Sequence, residues 1–530
     1  MITNKHGIIR GLINLGDKNG SAGLGCYYLE SWGGGPSYLE IMLSRIRQMT
    51  TLDHTVALVH MDIDIRVLEL LGKYEIQVLE IESLEDFFMY PNYQKKINSS
   101  RKWSYGSWSG SSNGMTIFDE IAPMGMVRFF CAISNPKTLV YFSPEAPFFD
   151  PTLADEMVRN SGATIQGAQL DLLCRPVPQG LSPLILSEKL TSNVSNDPFW
   201  MPSFFLNTGK YSYKLKIEAT FKIPAVENDD RNFLLRSPRD LERLNKWDGK
   251  FDKVLPEFSL PKELQIELTS EPQRKEHFLP SPSTEVEMPL GLFGELLLQI
   301  EKVEDALLTI GDLGNLWSYS DEQGLLGLFS KHKIYGVHVI LDAIDIFADL
   351  ERFERWVKCD FDIITVRLSS LGSSKDNLLM YEDKVKEINA MVSSVNLKTT
   401  INYELQKVAD NWRLIEVLQE WNAKYQIAFN WVGFNDYAGQ NAKDAQLPVY
   451  YPRVEHPCKK LLYQMHILAD GSVTSCRQDY KGTCVVGDTN VHKIKEIWNS
   501  EPCVTLRQET GVCRDSVTEL CQKCKQSHFV

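Results

Sequence analysis

Two cysteines near the end of the chain have the spacing of a metal-binding pair. Cys521 and Cys524 form a CxxC pair, which lets two thiolates converge on one metal ion or cluster. Cys458 and Cys476 lie on either side of a stretch whose Asp470-Gly471 pair favours a hairpin turn. Four thiolates complete a 4Fe–4S cluster with no open coordination site, and they complete a structural zinc site equally well. The spacing therefore predicts a metal site and leaves iron and zinc open.

The other cysteines have no such spacing. The total of 11 is odd and no secretion signal is recognisable, which argues against a disulfide framework and for metal or redox use. Four single cysteines are expected to be small buried hydrophobes: Cys26, Cys131, Cys174 and Cys359. Three cysteines of the tail are predicted to be structural: Cys484, Cys503 and Cys513.

Length and composition limit the class of protein. The 530 residues are enough for two to four domains, and 43% hydrophobic with 24% charged residues is typical of a globular protein. The net charge of −13 and the pI of about 5.4 favour neither nucleic acid nor an anionic membrane as partner. No apolar run is long enough to span a bilayer, so we expect a cytoplasmic location.

Residues 1–225 alternate between strand-like and helix-like segments. "GIIRGLINLG", "HTVALVHM" and "EIQVLEIE" are apolar strands, and "SYLEIMLSRIRQM" is an amphipathic helix. Such alternation predicts an α/β domain with a doubly wound parallel sheet. Residues 226–262 are charged and contain proline, and we interpret them as a linker.

A second alternation occupies residues 263–440. Six strand candidates run from "LQIELT" to "IAFNWVGF", with helical stretches between them. This number and spacing predict a partial parallel (β/α)6 barrel that is open on one side. Function in such barrels lies at the carboxyl ends of the strands, so a small molecule or partner protein is expected at the barrel mouth.

Residues 441–530 resemble the SPASM domain, the auxiliary-cluster module of many radical SAM enzymes. The shared pattern consists of Cys458, Gly471, Cys476, the Gly487-Asp488 pair, the Glu496–Trp498 helix, Cys521 and Cys524. The resemblance implies one auxiliary 4Fe–4S cluster on Cys458, Cys476, Cys521 and Cys524, and it favours iron over zinc.

Three stretches are together similar to the spiro-SPASM proteins of spirochetes. They are "GFNDYAGQ", "LLYQMHILADGSVTSCRQD" and the closing CxxC with its short aromatic tail. This resemblance implies an arrangement of domains and no particular reaction.

The first strand of the second alternation resembles the opening of a radical SAM site without its cysteines. In "IELTSEPQRKEHFLP", the three ligand positions of the CxxxCx-aromatic-C motif hold Pro272, Glu276 and Leu279. Proline and leucine side chains cannot bind iron, and a carboxylate is a hard ligand unsuited to this cluster. In "GDLGNLW", Asn315 and Leu316 replace the Glu and Pro of a GGEP-like turn. We therefore expect no cleavage of S-adenosylmethionine and do not expect it as a cofactor.

The first domain resembles cytidylyltransferases that act on sugars. The resemblance rests on "GGGPSYLEIMLSRI", "VYFSPEAPFFDPTLADEM" and "PQGLSPLILS". It implies a nucleotide with Mg²⁺, although Glu145 replaces the expected Asp and the glycine-rich loop keeps only Lys18 as its basic residue.

The sequence therefore allows three functions. The first is an iron–sulfur protein in a redox or binding role, on a radical-SAM-like barrel without the CxxxCxxC motif. The second is nucleotidyl transfer to sugars by the first domain. The third is a zinc-stabilised scaffold.

Overall fold

The computed structural model describes most of the chain. The described residues are 9–16, 20, 23–82, 124–161, 164–165, 168–169, 172–173, 180–187, 232–250, 255–271, 285–359, 361–371, 374–395, 399–407, 414–425, 428–433, 435, 437–440, 460–474, 476–512 and 518–524. They form two compact units, the first ending at Glu257 and the second beginning at Phe258.

Unit 1 is built on a mixed six-stranded sheet. Its described strands are β1 Ile9–Leu15, β2 His54–His60, β3 Gln77–Ile81, β4 Thr138–Phe142, β5 Thr164–Ile165, β6 Ala168–Gln169, β7 Leu172–Leu173 and β8 Leu184–Ser187. The strand order is β3-β2-β1-β4-β8-β7, and β5 pairs with β6 separately. Strands β1 to β4 are parallel, while β7 and β8 are antiparallel additions. The order reverses between β1 and β4, which makes a topological switch point there.

Helices connect these strands. Those described are α1 Tyr38–Gln48, α2 Ile65–Lys73, α3 Met124–Ser134, α4 Pro151–Asn160 and α5 Pro238–Lys246. Helix α1 shows why the segment folds as predicted: the Ser37 side chain accepts a hydrogen bond from the backbone N–H of Glu40 and caps the first turn. The predicted parallel α/β arrangement is confirmed, although helix α3 was not predicted.

Of the predicted linker at 226–262, residues 232–250 and 255–257 are a packed part of unit 1, and residues 258–262 belong to unit 2. Ser237 caps helix α5, and Pro238 occupies its first turn. Phe233, Leu244 and Trp247 are buried in one cluster with residues from the rest of the unit. The charges of this segment led to the linker interpretation, but its apolar residues recur at helical spacing and need a core to cover them.

Unit 2 contains a nine-stranded sheet. Its described strands are β9 Glu263–Ile266, β10 Leu307–Ile310, β11 Gly336–Asp342, β12 Ile363–Arg367, β13 Thr400–Lys407, β14 Ala428–Gly433, β15 Gln464–Ile467, β16 Ser472–Thr474 and β17 Val485–Asp488. The order is β14-β13-β12-β11-β10-β9-β15-β16-β17. Strands β9 to β14 are parallel, and each lies beside the strand that precedes it in the chain. They correspond to the six strand candidates of the sequence.

The described helices of unit 2 are mostly short. They are α6 Leu290–Ile300, α7 Glu322–Lys331, α8 Ala343–Ala348, α9 Leu350–Val357, α10 Lys375–Leu379, α11 Glu382–Val395, α12 Ile415–Tyr425, α13 Lys460–Tyr463, α14 Ile494–Trp498, α15 Glu501–Val512 and α16 Glu519–Lys523. Among the described helices of the chain, none is long and apolar enough to cross a membrane.

The tail is continuous with this sheet. Strand β15 pairs in parallel with β9, and β16 and β17 extend the sheet in antiparallel register. Ile497 and Trp498 of helix α14 belong to the same buried cluster as the apolar residues of β9 to β13. The boundary predicted at 440–441 is therefore not a boundary between separate cores, because the tail shares the core of the strands before it.

Candidate functional site

One face of the unit 2 sheet is polar although it is buried. Residues of opposite parity along each strand face opposite sides. Apolar residues such as Leu264, Ile266 and Leu308 pack into the helix-covered core. The alternate positions carry buried polar side chains: Glu263, Gln265, Glu267, Thr309, His338, Asp342, Thr365, Arg367, Gln464 and His466. Buried polar groups are unfavourable unless they are paired. The side chains of this polar face must therefore form hydrogen bonds and ion pairs with one another or with a polar ligand.

Asp312 lies at the centre of the polar face, in the turn after β10, and is completely buried. Its carboxylate accepts hydrogen bonds from Gln265 Nε2 at 2.8 Å and from Arg367, and its Oδ2 forms an ion pair with Arg477 Nη2 at 2.8 Å. Arg367 also pairs with Glu404, with Nε and Oε1 3.2 Å apart. Although burial raises the pKa of Asp312, Arg477 and Arg367 hold it below its usual range. Asp312 is therefore an ionised carboxylate between two arginines.

A histidine on the same face is neutral. His338 Nε2 lies 2.8 Å from Thr365 Oγ1, which also accepts a hydrogen bond from Asn402 Nδ2 at 3.2 Å. Burial lowers the pKa of His338 to about 4. At neutral pH the imidazole therefore adds hydrogen-bonding capacity without charge.

The Glu267 side chain binds the backbone of the turn that follows β10. One of its carboxylate oxygens accepts hydrogen bonds from the backbone N–H groups of Leu313 and Gly314 at 3.1 and 3.3 Å. The other lies 3.6 Å from His466 Nε2. A side chain on Gly314 would meet the carbonyl oxygen of Thr269, because a Cβ there would be 1.7 Å from it. The close approach of these two segments therefore requires glycine at position 314.

The "GDLGNLW" turn has a structural role in the described residues. Asn315 accepts a hydrogen bond from the backbone N–H of Trp317 at 3.1 Å, and Leu316 is buried in the core. Pro272, Glu276 and Leu279, the three vacated ligand positions, lie outside the described residues. That these three positions lack cysteine is known from the sequence alone.

The predicted hairpin is formed by β15 and β16, with Gly471 at a φ of 90°. Thr474 links this hairpin to the polar face, because its Oγ1 lies 3.0 Å from His466 Nδ1 and donates to the carbonyl oxygen of Cys476 at 3.3 Å. The N–H of Asp479 donates to the same carbonyl at 3.0 Å. The turn that contains Cys476 is therefore hydrogen-bonded to the sheet through Thr474 and His466.

Cys521 lies in the short helix α16, and Cys524 is the residue that caps its C-terminal end. The N–H of Cys521 donates to the Thr518 side chain at 3.1 Å, which caps helix α16. The N–H of Cys524 donates to the carbonyl oxygen of Cys521 at 3.3 Å. This hydrogen bond closes a turn between the two cysteines, and a CxxC pair on a turn allows both thiolates to bind one metal ion or cluster. Both residues, like Cys476, are thiols rather than disulfide sulfurs.

The donor chemistry fits an iron–sulfur cluster, because clusters of this type are held by cysteine thiolates. Cys458, the fourth predicted ligand, lies outside the described residues. Within the part of the chain that the structure describes, no group of three or more His, Cys, Asp or Glu side chains is arranged to hold a metal ion. The assignment of the four cysteines together therefore remains a prediction.

The remaining cysteines differ in burial. Cys503 is buried, and burial raises the pKa of its thiol. Cys26, Cys131 and Cys359 are half-buried rather than fully buried as predicted. Burial raises the pKa of Cys359 to about 11, so that residue is a protonated thiol at neutral pH. Two cysteines, Cys174 and Cys513, lie outside the described residues.

Unit 1 contains a second candidate site at its switch point. Glu145 follows β4, and its Oε2 accepts a hydrogen bond from Arg236 Nε at 3.0 Å. A Cβ built on Gly20, in the glycine-rich loop after β1, would lie 3.8 Å from Glu145 Oε1. The predicted acidic residue and the glycine-rich loop therefore lie side by side where α/β sheets bind ligands. Lys18 lies outside the described residues.

Several residues of the unit 2 site were not predicted from the sequence. Asp312, Arg367 and Arg477 belong to three separate segments, and no local spacing relates them. The polar alternation of Glu263, Gln265 and Glu267 was a usable signal, because it places three polar side chains on one face of a strand.

Solved structures with low sequence identity are similar to parts of this chain. BtrN in complex with AdoMet and 2-DOIA is 14% identical and covers 50% of this chain and 93% of its own, with a TM-score of 0.36. A cytidylyltransferase from Leptospira borgpetersenii serovar Hardjo-bovis is 15% identical and covers 45% of this chain and 84% of its own, with a TM-score of 0.31. His6-tagged anSMEcpe with bound AdoMet is 12% identical and covers 51% of this chain and 87% of its own, with a TM-score of 0.36.

Our expectation that S-adenosylmethionine is absent as a cofactor is not tested by these structures and stays a prediction. No curated protein matches the chain. The family comparison concerns the tail alone. Residues 458–525, which include all four predicted ligands, match the SPASM family, an iron–sulfur cluster-binding domain.

Proposed function

We propose that this protein binds one 4Fe–4S cluster through Cys458, Cys476, Cys521 and Cys524 and acts in electron transfer or in binding a substrate or partner. The observation that carries this function is the match of residues 458–525 to an iron–sulfur cluster-binding domain. The cluster, when bound, supplies one-electron redox chemistry.

The surroundings of Cys476 support a role beyond stabilising the tail. Its turn contacts the polar face through Thr474 and His466. The same face contains ionised Asp312 and neutral His338. A cluster on Cys476 would therefore lie next to groups that can orient a polar ligand or stabilise a charge. Because residues 266–284 contain no cysteine, the proposed role includes no cleavage of S-adenosylmethionine.

Anaerobic purification of the full-length chain tests this function. We expect about four irons and about four sulfides per chain, with broad visible absorption. One zinc and a colourless sample would contradict the proposal and leave the zinc scaffold. About eight irons would contradict the single cluster and indicate a second cluster elsewhere in the chain.

A second candidate function is favoured by the position of Glu145. We propose that unit 1 binds a nucleotide with Mg²⁺ at the switch point, where Glu145 lies beside the glycine-rich loop. The reaction served by this binding would be transfer of the nucleotidyl group from CTP to a sugar, with release of pyrophosphate.

Calorimetric titration with CTP checks this candidate. We expect Mg²⁺-dependent binding that weakens at least about tenfold in Glu145→Ala, because the substitution removes a ligand of the metal. Glu69→Ala, which changes an exposed acid of the same unit, is the control and should bind normally. The candidate is wrong if CTP does not bind, or if it binds independently of Mg²⁺ and Glu145.

A further inference from the structure

Arg477 extends from the tail into the polar face of the sheet. Its Nη2 lies 2.8 Å from Asp312 Oδ2, and the exposed fractions of the two side chains are 8% and 0%. Such a pair is tightly constrained, because moving the buried guanidinium away from the buried carboxylate would lose a charge interaction that water does not replace there. The residue directly after Cys476 is therefore fixed to the turn that follows β10.

The backbone around Cys476 is held at further points. Its carbonyl oxygen accepts hydrogen bonds from Thr474 and Asp479. The completely buried carboxylate of Asp479 in turn accepts from the N–H groups of Thr483 and Cys484 at 2.9 and 2.6 Å. The loop after Cys476 is thus closed by its own hydrogen bonds, and the Arg477 side chain connects it to the interior of the sheet.

We propose that Arg477 is a positioning residue for the cluster. By pairing with Asp312 it fixes the direction of the backbone at Cys476 and presents that thiolate to the iron. This inference rests on the proposed function, since it concerns a ligand of the proposed cluster. Groups that orient a metal ligand without touching the metal commonly change metal affinity by about 10- to 100-fold.

A purely structural role for Arg477 is the competing explanation. Two features make the two roles separable. Arg367 still neutralises Asp312 when Arg477 is removed, so the variant does not leave that carboxylate without a cation. Cluster binding also stabilises the folded chain by an amount that grows with the logarithm of its affinity, so the difference in melting temperature between cluster-bound and cluster-free protein follows affinity separately from the stability of the cluster-free chain.

The experiment compares Arg477→Met and Arg477→Lys with the unchanged chain. Each protein is reconstituted with iron and sulfide, and the loss of visible absorption is followed after addition of an iron chelator. We expect Arg477→Met to bleach at least about tenfold faster. Arg477→Lys keeps the charge and should bleach within about threefold of the unchanged chain. Arg355→Met is the control, because Arg355 pairs with Glu322 at the exposed surface of the same unit.

Melting temperatures with and without the cluster complete the test. We expect the difference between the two forms to shrink in Arg477→Met and to persist in Arg477→Lys. An unchanged difference together with unchanged bleaching would overturn the positioning role and leave the proposed function intact. If Arg477→Met does not fold, Arg477→Gln takes its place: faster bleaching with a smaller temperature difference supports the inference, and unchanged values of both overturn it. An unchanged chain that takes up no iron would instead contradict the proposed function.

Discussion

Substitution of Cys521 by serine is expected to reduce the iron content from about four per chain to below about one. A serine oxygen is a harder and less acidic ligand than a thiolate and does not replace it on an iron–sulfur cluster. The N–H of residue 521 donates to Thr518 and is not affected by this change, so helix α16 keeps its cap. The measurement is iron and sulfide analysis with a visible spectrum after anaerobic purification.

Cys359→Ser is the matched control for this substitution. Cys359 belongs to the same unit, and its thiol donates to the carbonyl oxygen of Arg355, a hydrogen bond that serine can keep. Its raised pKa makes a thiolate unfavourable at that position. Full iron content in Cys521→Ser would show that the ligand assignment is wrong, and loss of iron from both variants would show that the effect is not specific to the CxxC pair.

Asp312→Ala is expected to lower the free energy of unfolding of unit 2 by about 3–5 kcal/mol, the loss typical of removing one partner from a buried ion pair. The substitution removes the carboxylate that separates Arg367 from Arg477 and leaves two buried guanidinium groups facing each other. Urea unfolding of cluster-free protein, followed by tryptophan fluorescence, measures this loss without a contribution from iron. Trp356 and Trp421, both completely buried in unit 2, are suitable reporters.

Two comparisons make this prediction specific. Asp383→Ala removes an acid whose ion pair with Lys386 is exposed, and it should lower the free energy of unfolding far less than Asp312→Ala does. The pKa of Asp312 is lower when folded than when unfolded, so its ionised form stabilises the folded state at neutral pH. That contribution is lost as the pH falls below about 4, and the difference between the unchanged chain and Asp312→Ala should narrow there. A difference that is independent of pH would contradict the role of the carboxylate charge.

The parallel strands β1 to β4 and β9 to β14 were accessible from the sequence, whereas β7, β8 and β17 were not predicted. Segments such as "HTVALVHM" and "GVHVILDA" combine apolar residues with the length of a strand, and local pattern is sufficient to recognise them. The hairpin at Asp470-Gly471 and the helix ending in Trp498 were also recognisable, because turn and helix signals act over a few residues. The family match of the tail agrees with the spacing of its cysteines.

The segment around helix α5 shows where local pattern failed. Its charges suggested a linker, yet Phe233 and Trp247 are buried. An amphipathic helix that packs on a core and a charged connector differ only in whether an apolar surface lies nearby to cover it. That surface comes from distant parts of unit 1, so the residues of the segment alone did not distinguish the two.

The spacing of the predicted cysteine ligands and the polar alternation along β9 are visible in the sequence, whereas the central ion network depended on the folded chain. Asp312 follows β10, Arg367 ends β12 and Arg477 follows β16, and only the parallel order of the sheet and the pairing of β15 with β9 bring them together. Period and spacing specify which side of a strand or helix a residue occupies. They do not specify which distant residue it meets, because that depends on how the strands associate and which charges must be paired once water is excluded.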